Sequence, residues 1–187
     1  MNDLLKGKPD YAITTTSLGR WRRFMYPSGM VFAEYRSHAE LFGLPWVHYT
    51  HGISPETGRR IVAKGLLAVG RFAVGGIAVG QLSAGIISIA QLGVGLLFGL
   101  APAAFGLHAL GQVAVGGAIA AGQLAAAPTA IGQLGVGEYA LAQKGVGTHV
   151  WSPARRDPEA IARFSTLWRT MTQPLRPAEG RVRATPR

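Results

Sequence analysis

The feature that most constrains this chain is a small residue that returns at every fifth position. From Gly65 the series runs Gly65, Gly70, Gly75, Gly80, Gly85, Ala90 and Gly95. One extra residue precedes Gly106, Gly111 and Gly116; a second precedes Gly122, Ala127, Gly132, Gly137, Ala142 and Gly147. The third position of the unit is large and apolar (Leu67, Phe72, Ile77, Leu82, Ile87, Leu92, Leu97), and the fifth is mostly Val. Between them the residue is almost always Ala, Ser or Gly. At about 100° per residue, each repeat would turn a helical stripe by about 140° and spread glycine round every side, so no helix face is specified. A three-residue strand followed by a two-residue corner accommodates the period. Side chains then alternate in, out, in along Leu82-Ser83-Ala84, and glycine takes the bend. Such segments wind into a β-solenoid.

If four units make one coil, the residue after each corner glycine stacks on its counterpart in the next coil. Gln81, Gln91, Gln112, Gln123, Gln133 and Gln143 recur at every second unit, with Pro102 in the place expected between Gln91 and Gln112. Two opposite sides are then expected to carry ladders of hydrogen-bonded Gln amides. Of the other two corners, one reads Leu66, Ile86, Leu107, Pro128 and the other Gly76, Leu96, Gly117, Glu138. Leu66, Ile86 and Leu107 form an apolar ridge, a candidate docking surface, unless the first 30 residues fold back over it. About four coils at 4.8 Å each would be about 20 Å long, short of the roughly 30 Å hydrocarbon core of a bilayer.

The Gly-Gln-Leu-Ala-Val type of unit resembles a glycine-rich variant of the pentapeptide repeat. Ahead of it, Tyr35-Arg36-Ser37, Leu41 to His48, Pro55 to Arg60 and Ala63-Lys64-Gly65 resemble segments that precede such repeats in uncharacterised bacterial proteins. The resemblance implies an all-β fold, a right-handed quadrilateral β-helix, and attaches no activity to it. The Ala-Asp/Asn-Leu order of that family is here Gly-Gln-Leu, and the fifth position is apolar. Register therefore matters: with Gly and Leu inside, the Val series would face outward and make a greasy rod.

The flanks read as caps and tails. The organisation expected is a basic N-terminal arm (1–30), cap strands (31–64), the solenoid (65–149), a C-terminal capping helix (150–172) and a disordered basic tail (173–187). Val31-Phe32-Ala33 and Trp46 to Tyr49 suit two short strands over the open end of the first coil, which would otherwise be an unpaired sheet edge. Asp157-Pro158-Glu159-Ala160 has helix-start chemistry. Ile161, Phe164, Leu167, Trp168 and Met171 make one helical face.

Net charge is +10, and it sits in the flanks. From Phe72 to Gly137 there is no Asp, Glu, Lys or Arg, long enough on paper for two or three spanning helices. The first ten residues lack the apolar region of a secretory signal, so the expected address is the cytoplasm, with membrane attachment; the inner membrane belongs to the alternative below. The absence of Cys removes disulfides, thiolate catalysis and Cys-ligated metals.

Little catalytic chemistry is legible. His48 and His51 have HxxH spacing, but on a strand their rings diverge and no carboxylate cluster completes a shell; cap packing is the expectation. His108 is expected inside as a buried neutral ring, Lys144 marks the end of the core, and Glu138 sits solvated at a corner. No catalytic, cofactor or metal residue is assigned. Arg20-Trp21-Arg22-Arg23 interleaves cations with aromatics, as membrane-interface and single-strand-binding segments do. The function expected is a non-catalytic scaffold or interaction module, self-associating or resting on a membrane through Leu66, Ile86, Leu107 and the Arg20–Arg23 segment. The alternative is an integral membrane protein with residues 72–137 in the bilayer, and a nucleic-acid-binding module stands third. The partners expected are a second copy or another protein, then an anionic membrane; nucleic acid ranks last, and no small-molecule substrate or cofactor is implied.

Overall fold

The computed structural model describes residues 9–172. It is mostly β, with an N-terminal antiparallel region, a solenoid and one C-terminal helix. Strands β1 (Ala12–Thr15), β2 (Gly19–Met25), β3 (Val31–Ser37) and β6 (Val47–His51) lead into β7 (Ala63–Val69), with β4 (Glu40–Leu41) and β5 (Leu44–Pro45) as a small hairpin between β3 and β6. Then come β8 (Phe72–Leu100), β9 (Ala103–Ala126), β10 (Thr129–Val136), β11 (Tyr139–Val146), β12 (His149–Trp151) and helix α1 (Pro158–Thr172). β1, β2, β3 and β6 pair antiparallel, and from β6–β7 to β11–β12 the strands pair in parallel, followed by one antiparallel bridge between Trp151 and Arg156. The lengths of β8 and β9, 29 and 24 residues, reflect backbone that stays extended through the corners of several coils.

Register fixes the coil. Ala63 lies opposite Ala73, Leu67 opposite Ile77, Thr129 opposite Tyr139, and Tyr139 opposite His149. One turn therefore uses two five-residue units, the coil has two sides, and there are about nine turns. This corrects the four-sided coil and the count of about four. Glutamine at every second unit marks the return of each turn to the same corner, which the sequence reading had spread over opposite sides of a longer coil.

The inward positions are also corrected. The side chains between the two sheets are the small ones: Ala63, Ala68, Ala73, Ala78, Ser83 and Ser88, continuing through Ala104, Ala109, Ala114, Ala120, Ala125, Ala130 and Ala140, all buried. Leu82 and Leu92, expected inside, are exposed. Each turn contributes one small residue from each side, and the sides approach so closely that the Ser83 and Ser88 hydroxyls hydrogen-bond across the interior at 2.6 Å. No layer of that thickness holds a leucine, which is why a quadrilateral coil with a Leu core does not form. Two methyl groups per turn bury little apolar area, so cohesion rests on the backbone ladder that joins turn to turn.

Corners stack on corners just as tightly. A Cβ on Gly75 would overlap the Gly65 carbonyl oxygen, and one on Gly147 the Gly137 carbonyl oxygen. Glycine is there for close approach, since neither position has a positive φ. The two extra residues lie on one edge: pairing steps from Gly95–Gly106 to Phe98–His108 across Leu96-Leu97, and Gly117-Ala118 takes the second.

The expected cap strands and helix are present as β3, β6 and α1. β2 pairs with β3 and β1 with β2, extending the same sheet, so this part of the N-terminal arm leaves the ridge uncovered. On α1, Ala160 and Phe164 are buried while Trp168 and Met171 are exposed, so its expected face is only half used. The expected tail, 173–187, lies outside the described residues.

Candidate interaction surface

With small residues inside, the large ones have nowhere to go but out. One face carries Val74, Leu82, Leu92, Val94, Phe105, Val113, Val115, Leu124, Leu134 and Val136, and all are exposed. The opposite face carries Leu67, Ile77, Ile89, Phe98, Leu100 and Leu110, again exposed. Near the C-terminal end of the solenoid, α1 lies against this second face: Thr129 is buried and accepts a hydrogen bond from Arg163, whose guanidinium sits 5.4 Å from the Tyr139 ring centroid. The Val series does face outward. So does the Leu series, and the rod is apolar on both sides.

The two edges differ from each other. Along one, Arg71 is followed turn by turn by Gln81, Gln91, Pro102, Gln112, Gln123, Gln133 and Gln143, a stacking visible where Gln81 N–H donates to Arg71 O and Val113 N–H to Pro102 O. Among the described residues the Gln side chains form no hydrogen bonds to one another, so the ladder is one edge of exposed amides. The opposite edge reads Leu66, Gly76, Ile86, Leu96, Leu107, Gly117, Pro128 and then Glu138. Leu66, Ile86 and Leu107 share it as expected, but on alternate turns. Leu96 stands between Ile86 and Leu107, swung out by the bulge to 72% exposure, and the sequence reading had placed it on another side.

The edge of Leu66 continues into the N-terminal sheet. Leu67 N–H donates to Trp46 O, Trp46 is exposed, and the β4–β5 turn beside it holds Phe42 at 91% exposure with φ 54°. Leu18 is exposed at the same margin, where its carbonyl accepts from His38 N–H. On the other margin, Arg23 pairs with Ala33 and Ala33 with His51, in line with Arg71.

The N-terminal opening of the interior is plugged by polar groups. His48 lies opposite Ala68 in register and is buried. Lys64 N–H donates to its Nδ1 at 2.9 Å, which leaves Nε2 to donate to Glu34 at 3.1 Å. Glu34 also receives Arg22 Nε at 3.1 Å. Burial alone would raise the Glu34 carboxyl; hydrogen bonds from His48 and Arg22, with the Arg22 charge, outweigh it and hold the carboxyl below its ordinary value. His51, by contrast, is exposed, and the HxxH pair does not converge. Sequence reading missed this plug because Arg22, Glu34 and His48 are far apart in the chain and meet only through antiparallel register.

The Arg20–Arg23 segment is divided. Trp21 packs on Tyr35 and Tyr49, with centroids 5.0 and 5.9 Å away, and Arg23 stacks over it at 4.8 Å; Arg22 belongs to the plug, and Arg20 is exposed. His108 points outward, half-buried, with Nδ1 3.2 Å from Leu97 O, which corrects its inward assignment. Lys144 likewise replaces an outward leucine, that of its partner Leu134. Among the described residues, no group of three or more His, Asp or Glu could hold a metal ion, and no helix is long and apolar enough to cross a membrane. The uncharged segment expected to offer spanning helices is strand except at the corners Ala101-Pro102, Ala127-Pro128 and Gly137. The chain matches no family model, no curated protein and no solved structure.

Proposed function

We propose that this protein is a non-catalytic β-solenoid scaffold whose working surface is its apolar exterior. The observation that carries the reading is the inversion of the usual distribution: alanine, serine and glycine fill the interior, while leucine, isoleucine, valine and phenylalanine cover both faces. Monomers that work alone in water rarely expose a contiguous apolar patch beyond a few hundred Å². The five-residue unit keeps its likeness to the pentapeptide repeat in repeat length, carried here on a two-sided coil. The integral-membrane reading gains from the charge-free exterior of residues 72–137. The nucleic-acid reading rests on flank charge alone, and Trp21 and Arg22 are engaged in packing and pairing within the N-terminal sheet.

Sedimentation in detergent-free buffer, repeated with detergent micelles and with an apolar-sensitive fluorescent dye, tests the proposal. It expects self-association or micelle and dye binding, with a β spectrum throughout. A monodisperse monomer that binds neither micelle nor dye would overturn it.

A further inference from the structure

Resting on that reading, we infer that the solenoid lies in the plane of a membrane and enters one leaflet edge-on, its Leu66–Ile86–Leu96–Leu107 edge deepest and its glutamine edge at the headgroups.

The occupant follows from the geometry of the apolar surface. Each face is three residues wide, about 10 Å at 3.3 Å per residue, and the uncharged edge from Leu66 to Pro128 spans seven turns, about 30 Å. A second copy docked on one face would leave the opposite face and the edge between them in water. Yet two faces and the edge between them are all apolar. Only a medium that wraps three sides of a thin blade buries them together, and lipid hydrocarbon does so.

The blade also has the right depth. Five residues separate the two edges, about 16 Å at 3.3 Å per residue, close to half of the roughly 30 Å hydrocarbon core. Backbone N–H and C=O groups point along the axis to the neighbouring turns, so apart from the bulges at Leu96-Leu97 and Gly117-Ala118 the lipid-facing sides satisfy their peptide groups within the ladder, the condition that the bilayer core imposes. An end-on rod meets that condition too, but it would carry Gln91, Gln112 and Gln123 through the hydrocarbon without hydrogen-bond partners, at a large cost for each amide. Edge-on, the same amides face water.

The termini agree with this orientation. Arg23, His51 and Arg71 prolong the glutamine edge, and a cleft at its N-terminal end is lined by Tyr26, His51, Arg60, Arg71 and Gln81; Arg156 stands beside Gln143 at the other end. These cations meet anionic headgroups; toward the opposite margin the exposed Arg20, Arg36, Glu40 and Lys64 precede the uncharged turns and Glu138 follows them, so it is the turns between that enter the hydrocarbon. Trp21, Tyr35 and Tyr49 stack in register with Val69, two residues from Arg71, and Trp151 pairs with Leu141, two residues from Gln143. Aromatic rings at the level of the headgroups are the usual membrane anchors. The exposed apolar tips, Leu18, Phe42 and Trp46, lie on the opposite margin, beside the exposed Arg36–Glu40 ion pair that meets the interface there.

Because the chain has no Cys, single nitroxide labels report depth without background. Leu96→Cys, Gln112→Cys, Leu82→Cys and Leu134→Cys would be labelled in full-length protein bound to vesicles of phosphatidylcholine with phosphatidylglycerol as the minor, anionic lipid. Edge-on insertion requires label 96 to be reached by oxygen and shielded from an aqueous quencher, label 112 to show the reverse, and labels 82 and 134 to share one intermediate depth. Labels 82 and 134 at different depths, with 112 shielded from water, would mean a spanning rod and would overturn the inference. Vesicle binding absent, with a stable oligomer in buffer, would also overturn it while leaving the scaffold reading intact; a monomer that binds nothing would sink both. As a second readout, Leu96→Lys should keep the β spectrum and lose vesicle recovery about tenfold or more. Recovery equal to that of the parent protein would contradict a buried edge.

Discussion

Ala114 and Leu92 reverse what hydrophobicity alone would assign. Ala114 is fully buried between the two sheets, and Leu92 is exposed on a face. Ala114→Leu should therefore destabilise the solenoid by about 3 kcal/mol or more, through overpacking in a layer that cannot widen. Leu92→Asp, measured in the same denaturant titration in water, should shift stability by only about 0.5 kcal/mol. Equal damage from both would mean that the interior is wrongly identified. At Glu34, the lowered carboxyl value contributes stability that is fully present above the ordinary carboxylate range of about 4.3. It is lost as pH falls through the lowered folded-state value. Glu34→Gln should accordingly flatten the acid limb of a stability–pH curve, and an unchanged limb would show that the plug does not depend on that charge.

Among the elements, the strand-and-corner unit, the cap strands β3 and β6 and the helix start at Pro158 were all legible in the sequence. Turn chemistry, helix capping and a five-residue period act locally. The inward position was not legible, because Leu82-Ser83-Ala84 alternates equally well with either set of residues inside. What decides is how close the second side comes, and that is a property of the whole turn. Coil size was hidden for the same reason: Gln at every second unit suits one edge of a short turn or two sides of a longer one. The ridge residues Leu66, Ile86 and Leu107 were found, but Leu96 was not, since its place depends on where the bulge absorbs the extra residue. For α1, Phe164 is the buried anchor and Trp168 is exposed. Phe164→Ala should cost about 3 kcal/mol and speed hydrogen exchange across the helix, whereas Trp168→Ala should leave exchange unchanged in aqueous buffer. The opposite order would mean that the helix docks through its C-terminal half.

For the molecule as a whole, everything proposed depends on a two-sided turn of two units, since only that geometry puts the small residues inside and the large ones out. Paired cysteines measure it directly. Leu124 and Leu134 are partners on adjacent turns, and Leu134 and Lys144 on the next. Neighbouring strands lie about 4.8 Å apart, within disulfide reach, whereas two turns separate residues by about 9.6 Å, beyond the roughly 7 Å limit between Cα atoms. Under mild oxidation, the Leu124→Cys, Leu134→Cys protein should form its internal disulfide with the β spectrum retained, and the Leu124→Cys, Lys144→Cys protein should not. Rapid bridging of the second pair and none of the first would place four units in each turn and contradict the inverted interior.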